Sequence, residues 1–344
     1  MIVLANFMQK NKLKIGVVGL GYWGPSYVRN FVRLENAEVT WVCDTDKASI
    51  AKIKNIYPFL KVATDYHELL KDKTLDVIAI ATPPETHFKI VSDAITAKKH
   101  VLVSKPLAGN FKDSLKLLIL AKKHKVNLAC DLTYIYTGAV KKISSQIKDG
   151  SIGVPLYYDS IRTNFGRFQS ETNVITDLIP HDLSILMECF ETKPTGVLAV
   201  GSKHYKNSRG EEMAHVILNY PKGFAAHLHV SWLTPVKIRT IQIGGSKKML
   251  FFDDVAPSEK VKIYDNGVTL PKDDITPFKP FYRIGDVVIP KLDNEEALFT
   301  EIKEFVTETS TGKFSYKTAK MGCEISKVLD ACQKSLKSGR IIRL

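Results

Sequence analysis

The chain reads as an α/β protein. Its N-terminal part is a doubly wound parallel sheet, and its C-terminal part is an α/β domain with a large, mostly antiparallel open sheet. Three observations predict this. Short apolar runs alternate with helical patterns through the first 132 residues, the pitch of strand–helix–strand units. A glycine-rich turn, Gly19-Leu20-Gly21-Tyr22-Trp23-Gly24, joins the first strand pattern to the first helix. Beyond residue 153 the pattern becomes consecutive β-branched and aromatic runs separated by Gly, Pro and Asn, as antiparallel sheets require.

Each element follows in order. KIGVVGLG (14–21) is a strand entering the turn, and residues 23–34 follow at helical spacing. AEVTWVCD (37–44) is the second strand, after which Asp46 caps ASIAKIKNIY. KVAT (61–64) is a short strand, and Asp65 precedes Glu68 by three residues, a capping-box spacing. DVIAIATPP (76–84) is apolar on both faces, as a central parallel strand is. Residues 85–98 are helical, HVLVS (100–104) is the fifth strand, Asn110 caps a helix at 111–124, and VNLACDL (126–132) is the sixth strand. After a helix at 138–149, ended by Gly150, come VPLYYDSIRTN, GVLAVGSKHY, MAHVILNY, FAAHLHVSW, VKIRTIQIGG and KKMLFFDD. Helical patterns return at 295–311 and 316–337. The domains are therefore 1–132 and 133–344, with the helix 316–337 free to pack back on the first.

Composition narrows the function classes. The 344 residues are 44% hydrophobic and 25% charged, the balance of a globular protein of two domains. No apolar run is long enough to cross a bilayer. The leader MIVLANFMQKNK lacks a preceding basic region and a small-residue cleavage pattern, so it is not read as a signal peptide. Five cysteines, odd in number and never spaced as CxxC, argue against a disulfide framework or zinc knuckle and for a reducing, cytoplasmic setting. The net charge of +13 suits anionic ligands, yet the lysines sit largely on polar helix faces such as AKKHK and QIKDG. No basic block interleaves with aromatics, so nucleic acid is not an expected partner. The histidines of HLH (227–229) share one strand face without a third ligand, and no metal is expected. His204 and His215 sit in strand patterns and read as structural, like that pair.

The glycine turn carries the first chemistry. It follows a strand, opens a helix, and is followed about 20 residues on by Asp44 at the end of the second strand. The first glycine makes the tight turn, the second admits a pyrophosphate, and the third lets helix and strand pack closely. Tyr22 and Trp23 within the turn, and Thr45 after Asp44, fall on the same cofactor side. The helix N-terminus favours the anion. Asp44 accepts hydrogen bonds from ribose hydroxyls and would repel a 2′-phosphate, and no arginine follows in DTDK, so NAD is expected rather than NADP.

AIATPP ends the fourth strand and SKP ends the fifth. Ligands of such sheets bind outside the carboxyl ends of the strands. Thr82, Pro83, Ser104, Lys105 and Pro106 therefore belong to the cofactor edge, with Lys105 fixed by the proline after it. The second candidate lies in VITDLIPHDLSILMECF (174–190), where Asp177 and His181 are four apart. On a helix they share one face, and the carboxylate fixes the tautomer and raises the basicity of the imidazole. Pro180-His181-Asp182 reads as the opening of that apolar helix. Upstream, Arg162 and Arg167 are forks suited to phosphate, and Asn164 and Asn173 suit sugar hydroxyls or amides.

Together these motifs resemble the glucose–fructose oxidoreductase / inositol dehydrogenase / MocA (Gfo/Idh/MocA) family over nearly the whole chain. GVVGLGYWG is similar to its opening turn. ATPPETH is similar to its TP-x-x-x-H element, matched by Thr82, Pro83 and His87. VLVSKPLA is similar to its Glu-Lys-Pro signature, and DLIPH to its Asp-x-x-x-His element. The resemblance implies a Rossmann domain followed by an open-sheet domain that often forms the oligomer interface, here a homodimer or homotetramer. It implies NAD(P)-dependent chemistry on a sugar or polyol. Lys105 would be the active-site lysine, Asp177 its partner acid and His181 the general acid/base, although the roles of Lys105 and His181 are exchangeable on sequence grounds. His87 and Ser104 would lie on the cofactor side, and Ser104 replaces the family's glutamate. The stretch from TGAVKK to DLSIL most resembles members acting on nucleotide sugars in surface-polysaccharide pathways, UDP-N-acetylglucosamine 3-dehydrogenases in particular. The competing expectations are an NADPH-dependent ketosugar reductase and a non-catalytic NAD(P)-binding regulator.

Overall fold

The structure, a computed structural model, describes residues 12–166, 172–206, 208, 210–269 and 280–344. Residues 1–11 of the leader and Arg167 lie outside the described residues. Two compact units divide the chain. One comprises the chain through Thr133 together with Glu296–Ser326; the other comprises Tyr134–Glu295 and Lys327–Leu344. Residues 296–326, which follow the sequence boundary, thus count with the first unit.

The first unit holds β1 (Leu13–Val18), β2 (Ala37–Cys43), β3 (Lys61–Ala63), β4 (Val77–Ile80), β5 (His100–Val103) and β6 (Leu128–Cys130). They form one parallel sheet in the order β3-β2-β1-β4-β5-β6. The order reverses between β1 and β4, and this opens a crevice at their carboxyl ends. Helices α1 (Gly24–Val32), α2 (Lys47–Ile56), α3 (Tyr66–Lys71), α4 (Pro84–Thr96) and α5 (Phe111–His124) connect the strands. Their starts follow the sequence chemistry. Asp46 accepts from the amides of Ala48 and Ser49, Asp65 from His67, and Asn110 from Asp113. Each cap satisfies amides that the helix leaves without partners. β4 is buried at all four positions, as a strand covered on both faces must be.

The second unit holds α6 (Gly138–Lys148), β7 (Pro155–Phe165), α7 (Val174–Cys189), β8 (Gly196–Ser202), β9 (Met213–Asn219), β10 (Ala225–Ser231), β11 (Leu233–Gly245), β12 (Met249–Asp253) and β13 (Val261–Tyr264). β14 (Gly267–Thr269) and β15 (Phe281–Arg283) pair antiparallel as a separate two-stranded sheet, and β16 (Val287–Val288) and β17 (Ile342–Arg343) complete a nine-stranded sheet. Its order is β16-β13-β12-β11-β7-β10-β9-β8-β17, antiparallel throughout except for β10 on β7. Alternation divides its faces. Ala214, Val216 and Leu218 of β9, and Ala226, Leu228 and Val230 of β10, are buried on the face that carries α7. His215, Ile217, His227 and His229 stand on the other face.

Two further helices, α8 (Ala297–Thr311) and α9 (Lys317–Ser338), follow. Leu298, Ile302, Phe305 and Val306 of α8 join the core of the first unit, against Tyr27 and Phe31 of α1. This apolar seam assigns α8 to the parallel sheet despite its distance in sequence. No helix among the described residues is long and apolar enough to cross a membrane.

Candidate active site

In the first unit, the turn after β1 is shaped by two glycines and opened by a third. Gly19 has φ +90°, and a Cβ there would stand 2.7 Å from the backbone of Ala81. A Cβ on Gly24 would stand 1.9 Å from the Gly19 carbonyl oxygen. Gly21 faces open space, with nothing within 4 Å of its missing side chain. The backbone is therefore bare to a ligand at Gly21 and closed at the other two positions. No side chain caps α1, whose N-cap residue is Trp23, so its first amides suit a diphosphate. Asp44 stands at the end of β2. Its Oδ2 accepts from the Leu20 amide at 2.5 Å and its Oδ1 from the Asp46 amide at 2.8 Å. Each carboxylate oxygen keeps a further lone pair for a ribose hydroxyl. Helix capping falls to Asp46, which leaves Asp44 to the turn. Tyr22 is 86% exposed and its ring stacks on Trp23; Thr45 is also exposed. This bare backbone, uncapped helix and acidic strand end fit a dinucleotide.

The exits of β4 and β5 lie on the same edge. The Lys105–Pro106 bond is cis. The Ser104 amide donates to the Ile80 carbonyl at 2.8 Å, extending the ladder up to the half-buried lysine. Thr82 Oγ1 is 2.7 Å from Thr86 Oγ1, which ties the Thr82-Pro83 exit to the first turn of α4. His87 does not face a ligand. It is fully buried, with Nδ1 2.7 Å from the Pro106 carbonyl oxygen and Nε2 2.9 Å from that of Thr82. It clamps the two exits to each other, and burial lowers its pKa. Both ring nitrogens thus lie against backbone carbonyls rather than at the expected cofactor contact.

In the second unit, α7 begins at Val174, capped by Asn173, and carries Pro180 in its interior. The helix does not open at Pro180, because the Asn173 side chain caps it at the Thr176 amide about two turns earlier. Asp177 and His181 consequently share a face inside a regular helix, and both are half-buried. Trp232, buried at the end of β10, donates its indole N–H to Asp177 Oδ2 at 3.1 Å. The Tyr134 ring lies 5.1 Å from the His181 ring. The Tyr134 hydroxyl accepts from Arg162 at 3.0 Å and Arg239 at 2.9 Å, and it lies 3.1 Å from Asp254 Oδ2. Burial raises the pKa of that phenol, so it stays protonated.

Two expected sugar or phosphate contacts are corrected here. Arg162 is buried and forms a fork with Asp182, Nε to Oδ2 at 2.7 Å and Nη2 to Oδ1 at 3.0 Å. Its Nη1 donates to Tyr134, and at 2% exposure the guanidinium presents no fork to a phosphate in solvent. Asn173 is also buried: its oxygen caps α7 and its amide group donates to Glu211 at 2.8 Å. Asn164 is half-exposed near the end of β7. Sequence reasoning missed Tyr134 and Trp232, whose signal is a polar-edged aromatic at the end of an apolar pattern. It also missed Asp182, read only as a helix-opening residue. Among the described residues, no group of three or more His, Cys, Asp or Glu is arranged to hold a metal.

Residues 13–132 match the model of an oxidoreductase family with an NAD-binding Rossmann fold, GFO_IDH_MocA, and residues 140–251 match the GFO/IDH/MocA C-terminal domain. The chain is similar to the uncharacterized oxidoreductase YrbE of Bacillus subtilis, 24% identical over 220 residues that cover 61% of this chain and 64% of that protein. It thus spans a little under two thirds of that relative. It is similar to myo-inositol 2-dehydrogenase of Thermotoga maritima, 24% identical over 265 residues covering 74% of this chain and 79% of that one. Among solved structures, GenD2 from gentamicin A biosynthesis in complex with NAD has a TM-score of 0.82 at 20% identity, covering 97% of each chain. At that identity the likeness shows the fold.

Proposed function

The chain belongs to the Gfo/Idh/MocA oxidoreductase family, whose first domain is an NAD-binding Rossmann fold, and from that premise we propose that it oxidises a ring CH–OH group of a sugar or polyol with NAD. The observation that carries the reading is Lys105, at the carboxyl end of β5 on the same sheet edge as the bare glycine turn. The myo-inositol dehydrogenase relative supports the substrate class.

Bound NAD supplies the hydride acceptor, the nicotinamide C4. Lys105, as an ammonium, stabilises negative charge that grows on the substrate oxygen in the transition state. His181, neutral at the start, takes the hydroxyl proton, and Asp177 fixes its tautomer. Trp232 holds Asp177, and Tyr134 packs beside the imidazole. The hydroxyl proton thus goes to His181, and NAD, when bound, would take the hydride so that a ketone results. The finer reading is a nucleotide sugar of the UDP-N-acetylhexosamine type in surface-polysaccharide synthesis. With Arg162 committed to Asp182, its diphosphate must find other cations, which weakens the sequence argument for that class. Self-association as a homodimer or homotetramer through the open face of the nine-stranded sheet belongs to the same reading.

Lys105→Ala should lower turnover by roughly 10²–10⁴-fold while NADH affinity stays close to wild type. Wild-type-like turnover would remove Lys105 from the chemistry. The substrate is found by following NAD reduction across inositols, free hexoses and UDP-sugars, with mass spectrometry locating the oxidised carbon.

A further inference from the structure

A buried carboxylate stands behind the glycine turn. Asp131 follows β6, and its amide donates to the Val103 carbonyl at 2.7 Å, which places it level with Ser104 on the neighbouring strand. It is only 4% exposed. Its side chain turns towards α1, where Oδ2 accepts from the Trp23 indole N–H and from the Tyr27 hydroxyl at 2.8 Å. Oδ1 accepts from the Thr133 amide at 3.1 Å and its hydroxyl at 2.5 Å. One interior carboxylate thus collects four donors, two of them from the turn and the helix it opens.

A second carboxyl completes the cluster. Glu301 of α8 is 2% exposed, and its Oε1 accepts from the Leu132 amide at 2.9 Å. Burial first, and then the neighbouring Asp131, hold its pKa well above the usual carboxylate range. That direction favours the uncharged form of the Glu301 carboxyl in this interior. A protonated Glu301 can also donate to Asp131.

The link to the cofactor is Trp23. It lies between Gly21 and Gly24 and is the N-cap residue of α1, a helix start that no side chain caps. Fixing its indole fixes the backbone that faces the diphosphate, across a sequence gap of 108 residues. We propose that Asp131 is a positioning residue for the dinucleotide: it sets the glycine turn through Trp23 and Tyr27, with Glu301 as its buried neighbour. The inference rests on the reading that this turn holds NAD. Asp131 itself touches no cofactor. Its effect should appear in cofactor affinity and in KM for NAD more than in kcat.

The test is NADH titration of the full chain, followed by fluorescence, alongside the melting temperature. Trp23→Phe removes the indole donor, and Asp131→Asn puts an amide group where acceptors are needed. Each should weaken NADH binding about tenfold, and the double variant should be no weaker than the worse single, because both break one interaction. Glu301→Gln keeps the acceptor for the Leu132 amide and offers an amide N–H towards Asp131, and should recover affinity that Glu301→Leu loses. Multiplicative losses in the double variant, or Trp23→Phe and Tyr27→Phe proteins that fold and bind NADH as wild type does, would overturn the assignment. Those two milder variants decide the matter if Asp131→Asn does not fold. A wild-type protein that binds no NADH would instead overturn the premise about the turn.

Discussion

At the scale of single residues, His87 shows how a motif position can serve chemistry without touching it. A neutral imidazole has one N–H. Two carbonyl oxygens stand within hydrogen-bond distance of its two ring nitrogens. A charged ring would satisfy both, but full burial opposes the charge and lowers the pKa. The ring therefore donates to one carbonyl, and the other nitrogen is left to a donor. Ser104 Oγ, 3.5 Å from Nε2, is placed to approach it. A serine can donate there, and an ionised glutamate could not. This gives the departure at Ser104 a local meaning. His87→Ala should leave both carbonyls unpaired over a cavity and destabilise the fold by about 2–4 kcal/mol. Turnover should fall more than NADH affinity, because the exit carrying Lys105 loosens while the glycine turn does not. Equal losses in both would place His87 on the cofactor after all.

At the scale of elements, a buried ion pair ties α7 to β7. Arg162 of β7 and Asp182 of α7 are both buried and paired fork to fork. Breaking such a pair leaves an uncompensated interior charge, whereas replacing both partners by apolar groups is far milder. Asp182→Leu should therefore cost about 3–5 kcal/mol in chemical denaturation, and Arg162→Met/Asp182→Leu should recover much of it. A double variant as unstable as the single would mean that the pair contributes by geometry alone. The same pair marks where sequence reading stops. Strands of the parallel sheet and caps such as Asp46 and Asn110 were legible because their causes are local: apolar runs, and a side chain two or three residues from its amide. The start of α7 was misread because Pro180 looks like a first-turn proline, while Asn173 and Thr176 already close a cap upstream. Arg162 looked like a phosphate ligand because its partner lies 20 residues on, on an element whose packing no spacing reveals. Trp23 and Asp131 are hidden for the same reason.

At the scale of the whole chain, the open face of the large sheet and the half-buried histidines on it set the last expectations. Ile161 at 36% exposure, Ile217 at 39% and Val200 at 60% stand with His215, His227 and His229 on the face away from α7. An exposed apolar face of this kind calls for a cover, and a second copy is the proposed one. Ile161→Glu/Ile217→Glu should dissociate that assembly in sedimentation analysis; a wild-type monomer at micromolar concentration would dismiss it. The histidines add a pH dependence whose sign is fixed. His215 and His229 have pKa values lowered mainly by burial and then by neighbouring imidazoles. The unfolded chain takes up these protons near pH 6.5, and the folded chain does so only lower. Their stabilisation is thus fully present above about pH 6.5 and is lost as pH falls from there through the folded values. Glu301 runs the other way. Its raised pKa contributes most below about pH 4.5 and is lost as pH rises through the folded value. The total stability curve mixes both, so only differences between variants isolate either one. Relative to wild type, His215→Gln/His229→Gln should gain stability as pH falls from 7 to 5, because wild type alone bears the cost of two imidazoles that resist protonation. A deficit that stays constant across that range would show that the two rings contribute packing and no proton linkage.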